Sequence, residues 1–176
     1  MTIKRQRLPS QQRIQELLQY DPESGIARWK HRVGKTMGIR VFNLRFADHI
    51  AGCTVASGSV SITIDHLTLR LHRVIYKLMT GREPDFVDHI DHDPGNNVWT
   101  NLRECTATQS SCNRRIGIHN VTGYRGVTQS KSGRWRARVM LYGKHYSFGS
   151  YLSKQDAAIA ASNARKHLHG AFANDR

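Results

Sequence analysis

Between Val87 and Asn113 the chain gathers side chains suited to hydrolytic chemistry: the adjacent pair Asp88-His89, then Asn101, then Asn113. Hydrolysing a phosphodiester needs an activated water, and positive charge on the phosphate and on the departing oxygen. A hard cation such as Mg²⁺ prefers oxygen ligands and keeps several waters, so one carboxylate and one amide can suffice. An imidazole titrating near neutrality is the natural base for the water. Neighbouring residues on a strand point to opposite sides. A carboxylate and an imidazole side by side must then serve different tasks, one toward a metal and one toward the water. An Asp-His pair alone would be unremarkable, and it is the spaced set that points to catalysis.

The elements that must position these residues can be read from pattern. Residues 86–90 form a strand, 93–97 a tight loop, and a helix runs from about Thr106 to Arg114. Upstream, residues 14–18 read as a short helix, stopped by the turn Tyr20-Asp21-Pro22-Glu23-Ser24-Gly25, and 26–30 as a strand. Residues 31–50 have weak periodicity and receive no assignment. Residues 59–64 alternate as a strand should, and 69–79 carry Leu71, Val74, Ile75 and Leu78 at helical spacing before Gly81. His72 on that helix is read as a packing or locally bonded residue.

The net charge of +14 calls for a polyanionic partner. Residues 1–50 hold 10 Lys and Arg against 4 Asp and Glu, residues 51–113 hold 5 against 7, and residues 114–176 hold 12 against 2. An acidic segment between two basic ones is either a solvated face or a cation site held against phosphate by basic surroundings. No apolar run is long enough to cross a bilayer, and the basic N-terminus lacks the apolar stretch of a signal peptide. The expectation is a cytoplasmic protein without a membrane partner. Cys53, Cys105 and Cys112 include no C-x-x-C pair, so they are expected to be reduced, partly buried packing residues.

Val87-Asp88-His89-Ile90-Asp91, Asn96-Asn97, Asn101-Leu102-Arg103, Thr106 and Gln109 together resemble an HNH endonuclease of the phage and homing type. Leu71-His72-Arg73-Val74-Ile75-Tyr76 and the early Tyr20–Gly25 turn extend the resemblance over roughly residues 12–115. It implies a ββα-metal fold clasping one divalent ion, with Mg²⁺ expected and Mn²⁺ the alternative. Asp88 would be a metal ligand, His89 the general base, Asn101 the residue that fixes the hairpin and orients the base, and Arg103 a phosphate neighbour. The second metal ligand in that family is an Asn or His nine residues after the middle Asn, and here the position is Ser110. A hydroxyl is a weaker Mg²⁺ ligand than an amide, and Asn113, three residues on, is the alternative ligand.

Residues 116–122 read as a linker, and 123–176 as a second domain after a nuclease domain of 1–115. In it Arg134, Arg136, Arg138 and Met140 alternate with Trp135, Ala137, Val139 and Leu141, placing three arginines on one strand face. Strands over 124–128 and 145–151 flank that one, and an Ala-rich helix starts at Ser153 and ends near Gly170. Tyr124-Arg125-Gly126-Val127, Gly133-Arg134-Trp135, Phe148-Gly149 and His167-Leu168-His169-Gly170 resemble an APETALA/ethylene-response-factor DNA-binding domain. The resemblance implies a three-stranded sheet entering the major groove, backed by the helix, with Arg125 on DNA. Independently, Arg134, Arg136 and Arg138 are spaced for phosphates or guanine edges, and Lys131 and Lys144 for the backbone.

The sequence thus predicts an α+β endonuclease acting on double-stranded DNA as a monomer or homodimer. The rival readings are a non-cleaving DNA-binding regulator, suggested by Ser110, and an RNA-directed protein, disfavoured because arginine rather than stacking aromatics predominates.

Overall fold

Ser10 opens the first helix, its hydroxyl accepting from the Arg13 N–H at 3.1 Å. Helix α1 (Gln11–Leu17) runs directly into β1 (Leu18–Tyr20), which pairs antiparallel with β2 (Ala27–Trp29) across the expected turn. The computed structural model describes residues 6–113, 116–117 and 120–175. The chain divides into two compact units, one ending at Cys105 and the other starting at Thr106.

In the first unit, α2 (Met37–Phe46) fills the stretch left unassigned from sequence. Its weak pattern has a physical cause: no residue of the helix is fully buried. Next come β3 (Cys53–Thr54), β4 (Val60–Ile64) and β5 (Leu67–Arg70), forming one antiparallel sheet in the order β3-β4-β5. The expected helix over 69–79 begins two residues later, as α3 (Leu71–Thr80). Asp65 and His66 have φ of 48° and 65°, the left-handed pair a two-residue hairpin turn requires, so Leu69 is held opposite Ile62 as strand. Gly81, at φ 74°, ends α3 as expected. Leu71, Val74 and Ile75 of α3 pack with Ile14, Leu17, Ile62, Ile64 and Leu69 in the core of this unit. The strands β6 (Phe86–His89) and β7 (Leu102–Cys105) form an antiparallel hairpin whose Val87 and Leu102 reach that core.

The second unit starts with α4 (Ala107–Cys112), capped by Thr106 in a reciprocal box with Gln109. Then β8 (Val127–Gln129), β9 (Trp135–Leu141) and β10 (Lys144–Tyr151) make an antiparallel sheet in the order β10-β9-β8, and α5 (Lys154–His169) follows. Burial alternates along β9 as read from sequence, with Ala137 and Val139 buried and Arg136, Arg138 and Met140 exposed. Val127 and Ala137 of the sheet meet Ala157 and Ala161 of α5, small side chains that let the helix approach closely. Ser153 caps α5 by accepting from the N–H groups of Gln155 and Asp156. The three cysteines are free, but Cys53 is exposed rather than partly buried, because the two-residue strand β3 lies at a sheet edge.

Candidate active site

The β6–β7 hairpin sets the first pair of side chains. Its register places Asp88 opposite Arg103 and His89 opposite Leu102. Arg103 donates from Nε (3.1 Å) and Nη2 (2.9 Å) to Asp88 Oδ2, a largely buried ion pair. His89, one residue on, points the other way and is 7% exposed. The two residues therefore address different surroundings, as the strand argument required.

The loop between the strands is built from its own polar groups. Asn101 donates from Nδ2 to Asp91 Oδ1 (2.9 Å) and to the Asn96 carbonyl (2.8 Å), and its Oδ1 accepts the Asp91 N–H (3.0 Å). Asp91 also accepts from Asp93 N–H and from the Asn96 amide. Burial acts to raise the Asp91 pKa, but these donors outweigh it and hold the carboxyl below its ordinary range. Asn101 thus fixes the loop.

The amide facing the imidazole belongs to Asn97, a motif residue assigned no role from the sequence. Asn97 Nδ2 donates to the Gly95 carbonyl (3.1 Å), which turns Oδ1 toward His89 Nε2 at 3.3 Å. An amide oxygen only accepts, so the neutral imidazole carries its proton on Nε2. Asn97 is 4% exposed and is braced from far away in sequence. Tyr20 donates from its hydroxyl to the Asn97 carbonyl (2.8 Å), and Trp99 N–H reaches the Pro22 carbonyl (3.0 Å). Burial, then the charge of Asp21, pushes the Tyr20 pKa up to about 12, so this donor keeps its proton at ordinary pH. A side chain at Gly25 (φ 72°) would stand 2.4 Å from Val98 N, so the Tyr20–Gly25 turn and this loop touch backbone to backbone.

His72 of α3 lies edge-on to His89, ring centroids 4.9 Å apart at 77°. Its Nδ1 is buried without a hydrogen-bond partner. Burial, helped by His89, Arg70 and Arg73, pushes its pKa down to about 3, so it is a neutral wall beside His89. It packs, as read from sequence, and what it packs against is the imidazole.

The hairpin thus holds the Asp88 carboxylate on one side and the oriented His89 imidazole on the other. Among the described residues no group of three or more His, Cys, Asp or Glu stands close enough to hold a metal ion. A single carboxylate still fits a hard cation that keeps waters and takes further oxygens from a phosphate. Ser110 and Asn113 belong to the second unit, Ser110 within α4 and Asn113 at its C-cap.

Also in the second unit, Arg134, Arg136 and Arg138 are exposed, with Arg134 Nη2 donating to the Ser150 carbonyl at 3.1 Å. Lys131 lies in the exposed turn before β9, and Lys144 opens β10. Arg125 is partly buried and donates from Nη1 to the Cys112 carbonyl (2.6 Å), and burial, then Arg165, pulls its pKa down. Arg165, unremarked in the sequence, is buried, donates to the Arg125 carbonyl and pairs with Asp175.

Comparison with known proteins gives this geometry a context. The HNH endonuclease family matches residues 69–111, which span α3, the hairpin and most of α4. Protein 3.8 of Escherichia phage T7 is 31% identical over 110 residues, covering 61% of this chain and 90% of that protein. An uncharacterized HNH endonuclease, L560, of Acanthamoeba polyphaga mimivirus is 30% identical over 115 residues, covering 64% of this chain and 59% of that protein. No solved structure matches the chain. Among the described residues no helix is long and apolar enough to cross a membrane.

Proposed function

Since the chain belongs to the HNH endonuclease family, we propose that it is a divalent-metal-dependent endonuclease hydrolysing phosphodiester bonds of double-stranded DNA. The observation that carries this reading is the hairpin, which holds Asp88 against Arg103 and turns His89 toward Asn97. With its proton on Nε2, His89 has Nδ1 as its basic nitrogen, and there it takes the proton of the attacking water. Asp88 would hold the divalent ion, Mg²⁺ or Mn²⁺, together with Ser110 or Asn113 as the family's second ligand. Such an ion, when bound, supplies positive charge against the phosphate and the leaving 3′ oxygen. Arg103 positions Asp88 and lies where a phosphate would be neutralised. Asn101 holds the loop that keeps these groups in register.

The second unit is proposed to bind DNA in the manner of an APETALA/ethylene-response-factor domain. Its support is a three-stranded antiparallel sheet with α5 on one face and Arg134, Arg136 and Arg138 exposed. Lys131 and Lys144 would touch the backbone. The partly buried Arg125 would act by tying the segment before β8 to the Cys112 carbonyl at the end of α4 as well as by contacting DNA. One active centre per chain suits a nicking monomer, or a homodimer for double-strand cuts. A phage-encoded role is supported by the phage and mimivirus relatives, and a homing role is proposed from the sequence resemblance alone.

Incubation of supercoiled plasmid with Mg²⁺ or Mn²⁺ tests the reading. Conversion to nicked or linear DNA, abolished by EDTA and by His89→Ala, is expected. No conversion, with tight duplex binding retained, overturns it in favour of a non-cleaving DNA-binding protein. Ser110→Asn would then report whether the weaker hydroxyl ligand was the cause.

A further inference from the structure

Helix α2 presents an unpartnered face of unusual composition. Phe42 and Asn43, at i and i+1, hold it to the Trp29–Arg32 segment, with the half-exposed Phe46 packed beside Phe42. Phe42 stacks edge-on against Trp29 (5.7 Å) and packs on Phe46 (5.3 Å), while the Arg32 guanidinium covers the Phe42 ring at 3.5 Å. The Asn43 amide clamps the Arg32 backbone at both its N–H (2.8 Å) and its carbonyl (2.9 Å). Thr36 caps the N-terminus, and past the C-terminus Asp48 N–H and His49 O bond to Trp29. The helix is fixed at both ends and along one side.

Its opposite stripe is Met37, Arg40, Val41, Leu44 and Arg45, at i, i+3, i+4, i+7 and i+8. Met37 is 74% exposed and Leu44 85%. The Arg40 and Arg45 guanidiniums and the Lys35 ammonium have no hydrogen-bond or ion-pair partner among the described residues. Over 27–50 the only acid is Asp48, against Arg28, Lys30, Arg32, Lys35, Arg40 and Arg45.

We propose that α2 is a second DNA-contacting element, lying in the major groove of duplex DNA with Arg40 and Arg45 on phosphates and Met37, Val41 and Leu44 against base edges. The proposal rests on the reading of DNA as substrate, and it names how the nuclease unit itself grips the duplex. A helix of 10 residues is about 15 Å long, and the major groove, about 12 Å wide, admits a helix. Apolar side chains that water solvates poorly gain from contact with base edges and thymine methyls. A second copy of the chain is the poorer occupant, since a two-fold contact on this stripe would set Arg40 and Arg45 against their own counterparts.

Salt-dependent binding of the full chain to a fluorescent duplex, measured in EDTA, tests the proposal without requiring cleavage. Arg40→Gln/Arg45→Gln should lower the slope of log affinity against log salt by about 1.8, two contacts at about 0.9 each. A photo-cross-linking residue at position 44, exposed and outside the core, should join the chain to DNA. An unchanged salt slope, a cross-link to a second copy of the chain, or no cross-link while the duplex stays bound would each overturn the proposal. Plasmid cleavage separates the two readings. Full cleavage with an unchanged slope sinks the α2 contact alone, and no cleavage with α2 cross-linked to DNA sinks the nuclease reading alone.

Discussion

Asn97→Ala separates a positioned base from a histidine that merely sits in a buried loop. The substitution removes the acceptor opposite His89 Nε2 and the donor to the Gly95 carbonyl, while the Tyr20 contact, made to the Asn97 backbone, survives. Losing one net hydrogen bond is worth about 0.5–1.5 kcal/mol, or roughly 2–12-fold in the population of the required tautomer. Freeing the ring from its orientation adds to this, because a misplacement of about 1 Å can cost 10²-fold. Nicking of supercoiled plasmid at saturating Mg²⁺ should therefore slow by about 10–100-fold. Asn97→Asp keeps an acceptor and should fall by less. A structural loss alone would lower the unfolding midpoint without moving the proton, so histidine ¹⁵N shifts are the second readout. They should show the Nε2–H form of His89 in the native protein and a tautomer mixture in Asn97→Ala. Nicking within twofold of the native rate, with those shifts unmoved, would refute the positioning argument.

Other perturbations test the supports. Gly25→Ala demands a left-handed residue with its Cβ 2.4 Å from Val98 N. It should cost upwards of about 1–2 kcal/mol, and nicking should fall with stability because the displaced loop carries Asn97. Gly126→Ala places a Cβ 2.2 Å from the Arg138 carbonyl at φ 73°. A similar or larger loss is expected in thermal unfolding, together with weaker duplex binding. His72 has a folded pKa of about 3 against an ordinary 6.5, so the native state binds fewer protons between those values. Its stabilising contribution is full above pH 6.5 and is lost as pH falls toward 3, amounting to about 2 kcal/mol by pH 5. Urea unfolding should show this acid loss in the native chain and a smaller one in His72→Leu. Equal losses would exclude His72 as its source.

Of the hairpin, the first strand was legible in the sequence and the second, Leu102–Cys105, was not, because its four residues form a strand only against their partner. The helix after Thr106 was also expected, and the reciprocal Thr106–Gln109 box that starts it is seen in the structure. The register pairing Asp88 with Arg103 was not read from the sequence, because it depends on how the two strands meet. Asn97 could not be told from Asn96 or Asn101 by spacing, since its role depends on Gly95 holding its amide and on Tyr20, 77 residues upstream, bracing its backbone. Helix α2 was illegible for the reason that makes it interesting. A helix with apolar residues on both faces shows no clean period, and only the fold tells which face is rooted.

The distribution of charge joins these observations. The acidic middle of the sequence invited a cation cluster, yet most of its carboxylates are engaged inside the fold. Asp65 binds Arg13, Glu83 binds Lys77, Glu104 accepts from Tyr76, Asp91 and Asp93 tie the hairpin loop, and Asp88 meets Arg103. Several of the cations they engage are thereby withdrawn from the surface, whereas Arg40 and Arg45 on α2 and the arginine row on β9 have no acidic partner among the described residues. Each unit thus carries a group of cations without an acidic partner among the described residues, Arg40 and Arg45 in the first and Arg136 and Arg138 in the second. If both groups meet phosphates as proposed, counterion release makes each a separate, salt-sensitive contribution to binding. Neutralising either should lower the salt slope by its own share, and neutralising both should lower it by the sum.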